Sequence, residues 1–240
     1  MPASEPLTED KLLGGRVRLA QPRAGFRAAI DPVLLAAFVP ARGGERVLEA
    51  GCGSGAAFLC LATRVPGLAV EAVERDTAMA ALAARNARAN GIVARITAAD
   101  VRAMPAVPRC DHAFANPPFW PGGTASPQAA RRDAAHEDAP LADWVTALAR
   151  PLRRLGTLAL VLPASRFAEA AGALRAAGCG AVTLLPLWPR AGVAAKRVLL
   201  RARRGGRGPD QLLPGLVLHE ADGRFTAAAE AVLREGAALG

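Results

Sequence analysis

The sequence predicts an α/β fold: a doubly wound sheet, mostly parallel with a C-terminal antiparallel hairpin, and helices on both faces. Three observations predict it. From residue 45 to residue 178 short apolar runs alternate with helix-length segments, the pattern of parallel strands joined by crossover helices. A glycine-rich turn, "EAGCGSGA" (49–56), follows the first of those strands and opens a helix. The last two main apolar runs, near 181–188 and 196–203, are joined by a connection too short for a parallel crossover, so they form a hairpin.

Residues 1–12 read as a frayed, disordered terminus, and 13–40 as an N-terminal hairpin and helix. "RVRLAQ" (16–21) alternates polar and apolar and, after "PRAG", is followed by "FRAAI", which together read as the β-hairpin. "DPVLLAAFV" then starts a helix, with Asp31 able to cap it and Pro32 suited to its first position. "ERVLEAG" (45–51) is a short buried strand, and "GAAFLCLATRV" (55–65) a helix ended by Pro66-Gly67. "LAVEAVE" (68–74) is the second strand, and "DTAMAALAARNARANG" (76–91) a helix stopped by Asn90-Gly91. A third strand spans 92–97 and a fourth runs through "HAFA" (112–115). "LADWVTALARPLRRLG" (141–156) is a helix in which Pro151 is a potential break, and "TLALVLP" (157–163) the fifth strand. "ASRFAEAAGALRAAG" (164–178) is helical; after the hairpin come a short strand near 216–219 and a helix over 224–236.

The 240 residues fit one domain, 1–240, large enough to bury about three-quarters of the unfolded chain's surface. A formal net charge of +9 points to an anionic partner such as nucleic acid. Lys occurs only at Lys11 and Lys196 while Arg and Ala abound, which a GC-rich coding bias also produces. Cys52, Cys60, Cys110 and Cys179 form no C-x-x-C pair, and with three His no zinc constellation arises, so no metal is expected and the setting is a reducing cytoplasm. The polar start "MPASEPLTED" reads as no signal peptide, and no apolar run reaches the ~18 residues of a membrane span.

The glycine turn lets backbone amides approach an anionic or polar ligand. Gly51, Gly53 and Ala56 also satisfy the dinucleotide pattern G-x-G-x-x-G/A, and Glu74 stands where a ribose-binding acid belongs. Two carboxylates favour S-adenosylmethionine (SAM) over NAD. Glu49, just before the glycines, would repel a pyrophosphate but attracts the ammonium of a methionine moiety. Asp100, after the third strand, can accept from an adenine amino group; it can equally cap the turn "VRAMP". Gly51, Cys52, Gly53 and Gly55 then form the cofactor loop.

The fourth strand runs into "ANPPFW" (115–120). An exocyclic amine on a heteroaromatic ring is a poor nucleophile because its lone pair is delocalised. If Asn116 and the Pro117 carbonyl accept its two N–H bonds, the nitrogen becomes more tetrahedral and its lone pair turns towards the methyl donor. Pro117 and Pro118 fix φ and remove competing donors. Phe119 offers a stacking face worth ~1–3 kcal/mol, and Trp120 a second ring. The segment 121–138 reads as a lid carrying Arg131 and Arg132, which either meet phosphates or are simply solvated. The hairpin turn, "PRAGVAAKR", should sit beside the same cleft with Arg190, Lys196 and Arg197 as phosphate contacts; Arg201, Arg203, Arg204 and Arg207 extend the stripe if their faces agree.

"E-x-G-x-G-x-G", Glu74 and Asp100 together resemble the class I methyltransferase (Rossmann-like) fold, and "NPPF" after the fourth strand is similar to amino-group methyltransferases acting on adenine, cytosine, guanine or protein glutamine. The segments "LLGGRVRLAQPRAGFRAAIDPVLLAAFVP" and "WPRAGVAAKRVLLRARRGGRGP…LLPGLVLHEADGRFT" resemble the bacterial tRNA(Val) adenine-N6 methyltransferase family over roughly residues 12–236. The resemblance implies that the segment before the first strand packs over the methionine end of SAM, which implicates Gln21, Phe26 and Asp31. It also implies an adenine beside the anticodon of a tRNA as substrate. A protein glutamine or a small molecule, including O-methylation, is the alternative substrate, and a SAM-fold RNA-binding protein without chemistry the non-enzyme reading.

Overall fold

The computed structural model describes residues 6–23, 28–118 and 139–240. Its first elements are strands β1 (Leu7–Leu12) and β2 (Val17–Pro22), helix α1 (Asp31–Phe38), β3 (Arg46–Ala50), α2 (Ala56–Arg64), β4 (Ala69–Glu74), α3 (Thr77–Ala89) and β5 (Ala94–Ala98). There follow β6 (Cys110–Ala115), α4 (Leu141–Ala149), β7 (Leu152–Pro163), α5 (Phe167–Ala176), β8 (Cys179–Trp188), β9 (Arg197–Arg204), the short β10 (Gln211–Leu212) and β11 (Leu216–Val217), and α6 (Ala227–Leu233).

The sheet order is β10-β8-β9-β7-β6-β3-β4-β5, with β11 also on β8. β3 to β7 pair in parallel, and β9 runs antiparallel to both β7 and β8. The chain winds outward through β3, β4 and β5, then crosses back to place β6 beside β3. That reversal is the point at which an open α/β sheet leaves a crevice beyond its strand ends.

Both faces of the sheet are covered, so its strands are apolar throughout and send alternate residues to two cores. Leu158, Leu160 and Leu162 of β7 enter the core under α4 and α5, while Ala159 and Val161 enter the one under α1, α2 and α6.

Three expectations change. Residues 7–12 are not frayed: they form β1, paired with β2 from Leu7↔Pro22 to Leu12↔Val17. The hairpin is therefore 7–22, not 16–30; it turns through Gly14 and Gly15, both at positive φ. A polar strand such as "LTEDKL", half-buried only at alternate positions, shows its identity through its partner rather than its composition. Residues 150–156 are not helical. Proline lacks the N–H that would continue the ladder, α4 stops at Ala149, and β7 reaches back to Leu152. Asp31 is not the cap of α1. The helix ladder opens one residue earlier, with the Leu34 N–H donating to the Ile30 carbonyl at 3.0 Å, so Asp31 is its first turn.

No described helix is long and apolar enough to cross a membrane. The four cysteines are free and buried, and among the described residues no cluster could hold a metal.

Candidate active site

Ala50 and Ala115 are register partners at the ends of β3 and β6. Gly51 and Asn116 therefore leave the sheet side by side, at the switch point.

On the β3 side the chain turns sharply: Gly51, Gly53 and Gly55 have φ of 65°, 53° and 93°. A Cβ on Gly51 would lie 2.6 Å from the Trp144 ring, and one on Gly55 2.7 Å from Phe58. These two glycines exist so that rings can pack beneath the loop. Gly53 differs, because its added Cβ would meet nothing nearer than Met79 Cε at 3.9 Å. Its main chain is bare on the outer side, where a ligand can reach it.

The loop is held from within. Gly51 and Cys52 N–H donate to the Val73 carbonyl at 2.7 and 3.1 Å. Glu74, at the end of β4, accepts from Gly53 N–H at 2.8 Å and from Asp76 N–H at 2.9 Å. Glu49 is 3% exposed beneath the loop and accepts from Phe58 N–H in the first turn of α2 at 2.9 Å. Burial pushes its carboxyl well above the usual range, the Phe58 bond opposes this, and the Glu74 charge adds to it. Burial likewise raises the Cys52 thiol, so Cys52 is a neutral part of the turn and no nucleophile.

Asp100 does cap its short turn: Oδ1 accepts from Arg102 N–H at 2.8 Å, and Arg102 also grips both carboxylate oxygens. The Arg102 side chain, more than its backbone N–H, holds the carboxyl down at about 2. The cap is thus seen, and an acceptor for an adenine amino group has to share those oxygens. Gln21 is buried, donating to Asp10 at 2.7 Å and accepting from Ala28 N–H at 2.9 Å, so it ties the hairpin to the segment leading into α1.

On the β6 side Asn116 is half-buried, Pro117 buried and Pro118 exposed. The Asn116 side chain makes no hydrogen bond with a described residue. Phe26, Phe119, Trp120, Arg131 and Arg132 lie outside the described residues.

The hairpin turn stands at the same sheet edge, since Arg197 is the register partner of Pro163 at the carboxyl end of β7. Arg190 and Lys196 are exposed there, their side chains without a partner among the described residues. Arg197 is engaged, its Nε 3.2 Å from the Asp31 carboxylate. That pair joins the two segments flanking the cleft. Of the four further arginines, Arg201 and Arg204 do not extend the stripe. Arg201 donates to the Phe38 carbonyl at 2.9 Å and stacks on its ring, and Arg204 donates to the Ala177 carbonyl at the end of α5. Both close helix C-termini.

The sequence reading missed what Asn86, on α3, and its cap residue Asn90, one turn on, hold with their side chains. Asn86 binds both the N–H (3.1 Å) and the carbonyl (2.8 Å) of Ala20, and the Ser54 carbonyl at 2.9 Å. Asn90 does the same with the N–H and carbonyl of Arg18. Four helix residues rise about 6 Å and two strand residues about 6.6 Å, so the two amides act as a substitute strand along β2. Two asparagines, poor helix formers, spaced by four in "RNARAN" were the available signal. Trp144 was missed too: its ring floors Gly51, and its indole N–H is buried without an acceptor among the described residues.

These residues fit SAM: an exposed main chain at Gly53, a carboxylate at the end of β4 beside it, and a second carboxylate beneath. With the strand order, they define a class I SAM-dependent methyltransferase. Residues 29–143 match the family described as the methyltransferase small domain. A "tRNA1(Val) (adenine(37)-N6)-methyltransferase" of Aeromonas hydrophila is 34% identical over 209 residues, spanning 85% of this chain and 87% of that one. The chain belongs to that family. Among solved structures, a "predicted O-methyltransferase" from Agrobacterium tumefaciens superposes with a TM-score of 0.71 at 25% identity, over 87% of this chain and 98% of that one. A T. thermophilus 16S rRNA methyltransferase in complex with AdoMet and guanosine gives 0.59 at 26% identity, over 83% of this chain and 50% of that one.

Proposed function

We propose that this protein transfers a methyl group from SAM to the exocyclic N6 amine of an adenine in tRNA, at a position next to the anticodon. One observation carries the reading: the glycine loop and Asn116 emerge from adjacent strands at the switch point, which sets a nucleoside-binding turn against an unengaged side-chain acceptor.

When bound, SAM supplies an electrophilic methyl on a positively charged sulfonium. The chain's part is placement. Asn116 Oδ1 and the Pro117 carbonyl accept the two amine N–H bonds, and the neighbouring Pro118 stiffens that carbonyl. No strongly shifted base is required, because the methylated amine loses its extra proton to solvent. Glu74 accepts from the ribose hydroxyls and the backbone of Gly51, Cys52, Gly53 and Gly55 lines the cofactor. Glu49 faces the methionine ammonium from below, and an arriving cation favours its charged form against the desolvation that raises it. Asp100 shares an oxygen with the adenine of SAM. Gln21 and Asp31 act at the methionine end through the entry segment, Gln21 by holding Ala28 and Asp31 by holding Arg197. Phe119 and Trp120 stack on the target base, which must be unpaired or flipped out. Arg190, Lys196 and Arg197 hold backbone phosphates, with Arg131 and Arg132 from the segment between β6 and α4. Residues 1–240 work as one unit in this reading, and its tRNA substrate places it in the cytoplasm.

The test is incubation with methyl-labelled SAM and separate pools of tRNA, rRNA and protein from a strain lacking the gene. Label in tRNA, recovered after digestion as N6-methyladenosine, is expected. Label only in protein would overturn the substrate assignment.

A further inference from the structure

Phe167 is 50% exposed, while Phe38, Phe58 and Phe114 are wholly buried. Among the described residues no other Phe or Trp is as exposed. Its position explains why. The buried stripe of α5 runs through Leu174 and Ala170, and Phe167 continues it by one more turn, at the helix start just after β7 ends at Pro163. The helix start is on the carboxyl edge of the sheet. Pro163 ends β7 there, and Ala164 N–H donates to the Lys196 carbonyl at 3.0 Å, tying the start of α5 to the basic turn. Arg166, the preceding residue, is taken up by Glu169 at 2.6 and 2.8 Å, whereas Lys196, tied by its carbonyl to Ala164, and Arg190, on the same turn, have no side-chain partner among the described residues. An exposed ring on a segment bonded to a basic turn, at the carboxyl edge of the sheet in a chain of net charge +9, has the make-up of a platform for an unpaired base near phosphate contacts.

Resting on the tRNA reading above, we propose that Phe167 is a stacking platform for a nucleobase neighbouring the methylated one, with Lys196 and Arg190 holding the adjoining phosphates. Phe167 then contributes to RNA affinity and to the choice of an unpaired loop over a duplex, and touches neither SAM nor the reacting amine.

The experiment compares wild type with Phe167→Ala and Phe167→Tyr for binding of tRNA and of a matched RNA duplex, over a salt series, with SAM affinity and melting temperature alongside. Phe167→Ala should weaken tRNA binding and raise its KM by about 5- to 150-fold, the equivalent of ~1–3 kcal/mol for one stacked base. The salt slope should stay that of wild type, because no phosphate contact is lost. SAM affinity should hold, and Phe167→Tyr should restore binding. Wild-type tRNA affinity in Phe167→Ala would overturn the platform while leaving the methyltransferase reading intact. The same affinity with a lower melting temperature or a changed oligomeric state would assign the ring to a protein contact instead. A wild-type protein that neither binds nor methylates tRNA would remove both readings.

Discussion

The two loops at the switch point start from paired residues, Ala50 and Ala115, yet they are built in opposite ways. In the β3 loop, N–H groups of Gly51, Cys52, Gly53 and Gly55 all have partners, Glu74 uses both oxygens, and two rings fill the space beneath. The start of the β6 loop carries a half-buried asparagine amide without a partner among the described residues. Asn116 therefore has no hydrogen bond to a described residue that an incoming group would first have to displace. The first loop is a finished surface for a cofactor. In the proposed mechanism the second is the acceptor for a substrate, which splits binding and chemistry between adjacent strands.

The largest effect should come from the open side. Asn116→Ala should lower methyl transfer by ~10²–10³-fold, the loss of one placed hydrogen-bond partner at a reacting centre. Asn116→Asp should keep more activity than Ala, because a carboxylate still accepts from an amine. Rates of the two variants on the same tRNA check this, and equal rates would argue against hydrogen-bond acceptance.

Next comes the support of the finished side. Asn86→Ala strands the Ala20 N–H and carbonyl and the Ser54 carbonyl, so stability should fall by about 2–3 kcal/mol, given 1–3 kcal/mol for each unsatisfied buried group and partial relaxation. Denaturant unfolding measures it. A loss confined to the hairpin's proteolytic resistance, with SAM affinity intact, would show that Ser54 does not need the amide.

A smaller change is expected on the rim. Because Asp31 already holds Arg197, neutralising Arg190 and Lys196 together should flatten the salt dependence of tRNA binding by about 1.4–1.8 units, at ~0.7–0.9 per phosphate contact. An unchanged slope would move the basic face elsewhere.

The smallest effect concerns Asp100. Asp100→Asn keeps a cap acceptor but loses the charged contact with Arg102, which should cost under about 1 kcal/mol at neutral pH. Arg102 holds its carboxyl below the reference value of 3.8, at about 2, so this contribution is present above pH 3.8 and fades as pH falls towards 2. Melts of Asp100→Asn should converge with wild type in that window. Glu49 has the opposite sign. Burial raises its carboxyl, so the folded state favours the proton and stability drops as pH climbs above the reference value of 4.5. Glu49→Gln should remove that slope in the SAM-free protein.

What could be read from the sequence divides along the same line as the loops. Glycines before a helix, an acid at the next strand's end and Asn-Pro-Pro are local patterns, each carrying its chemistry within a few residues. The antiparallel run of β9 followed from the shortness of the connection at 189–195, whereas the strand order itself is seen only in the structure. The features that escaped are pairings across long separations. Asp31 meets Arg197 across 166 residues, and Asn86 meets Ala20 across 66. Neither residue carries a local mark of its partner, so Asp31 looked like a cap and Asn86 like an ordinary helix position. The strand β1 failed for a related reason: its polar residues gain their order only from β2.

The most direct test of the split between the two loops is to measure SAM affinity by calorimetry, and the single-turnover methylation rate at saturating SAM and tRNA, in both Glu74→Ala and Asn116→Ala. Glu74→Ala should weaken SAM by roughly 10- to 150-fold, from the ~1.5–3 kcal/mol of a hydrogen bond to a charged acceptor, and keep most of the saturated rate. Asn116→Ala should leave SAM affinity within about tenfold, ~1.4 kcal/mol, and lose the rate. If Asn116→Ala turned over normally once saturated, or if both variants lost affinity and rate in the same proportion, the division of labour between the loops would be wrong.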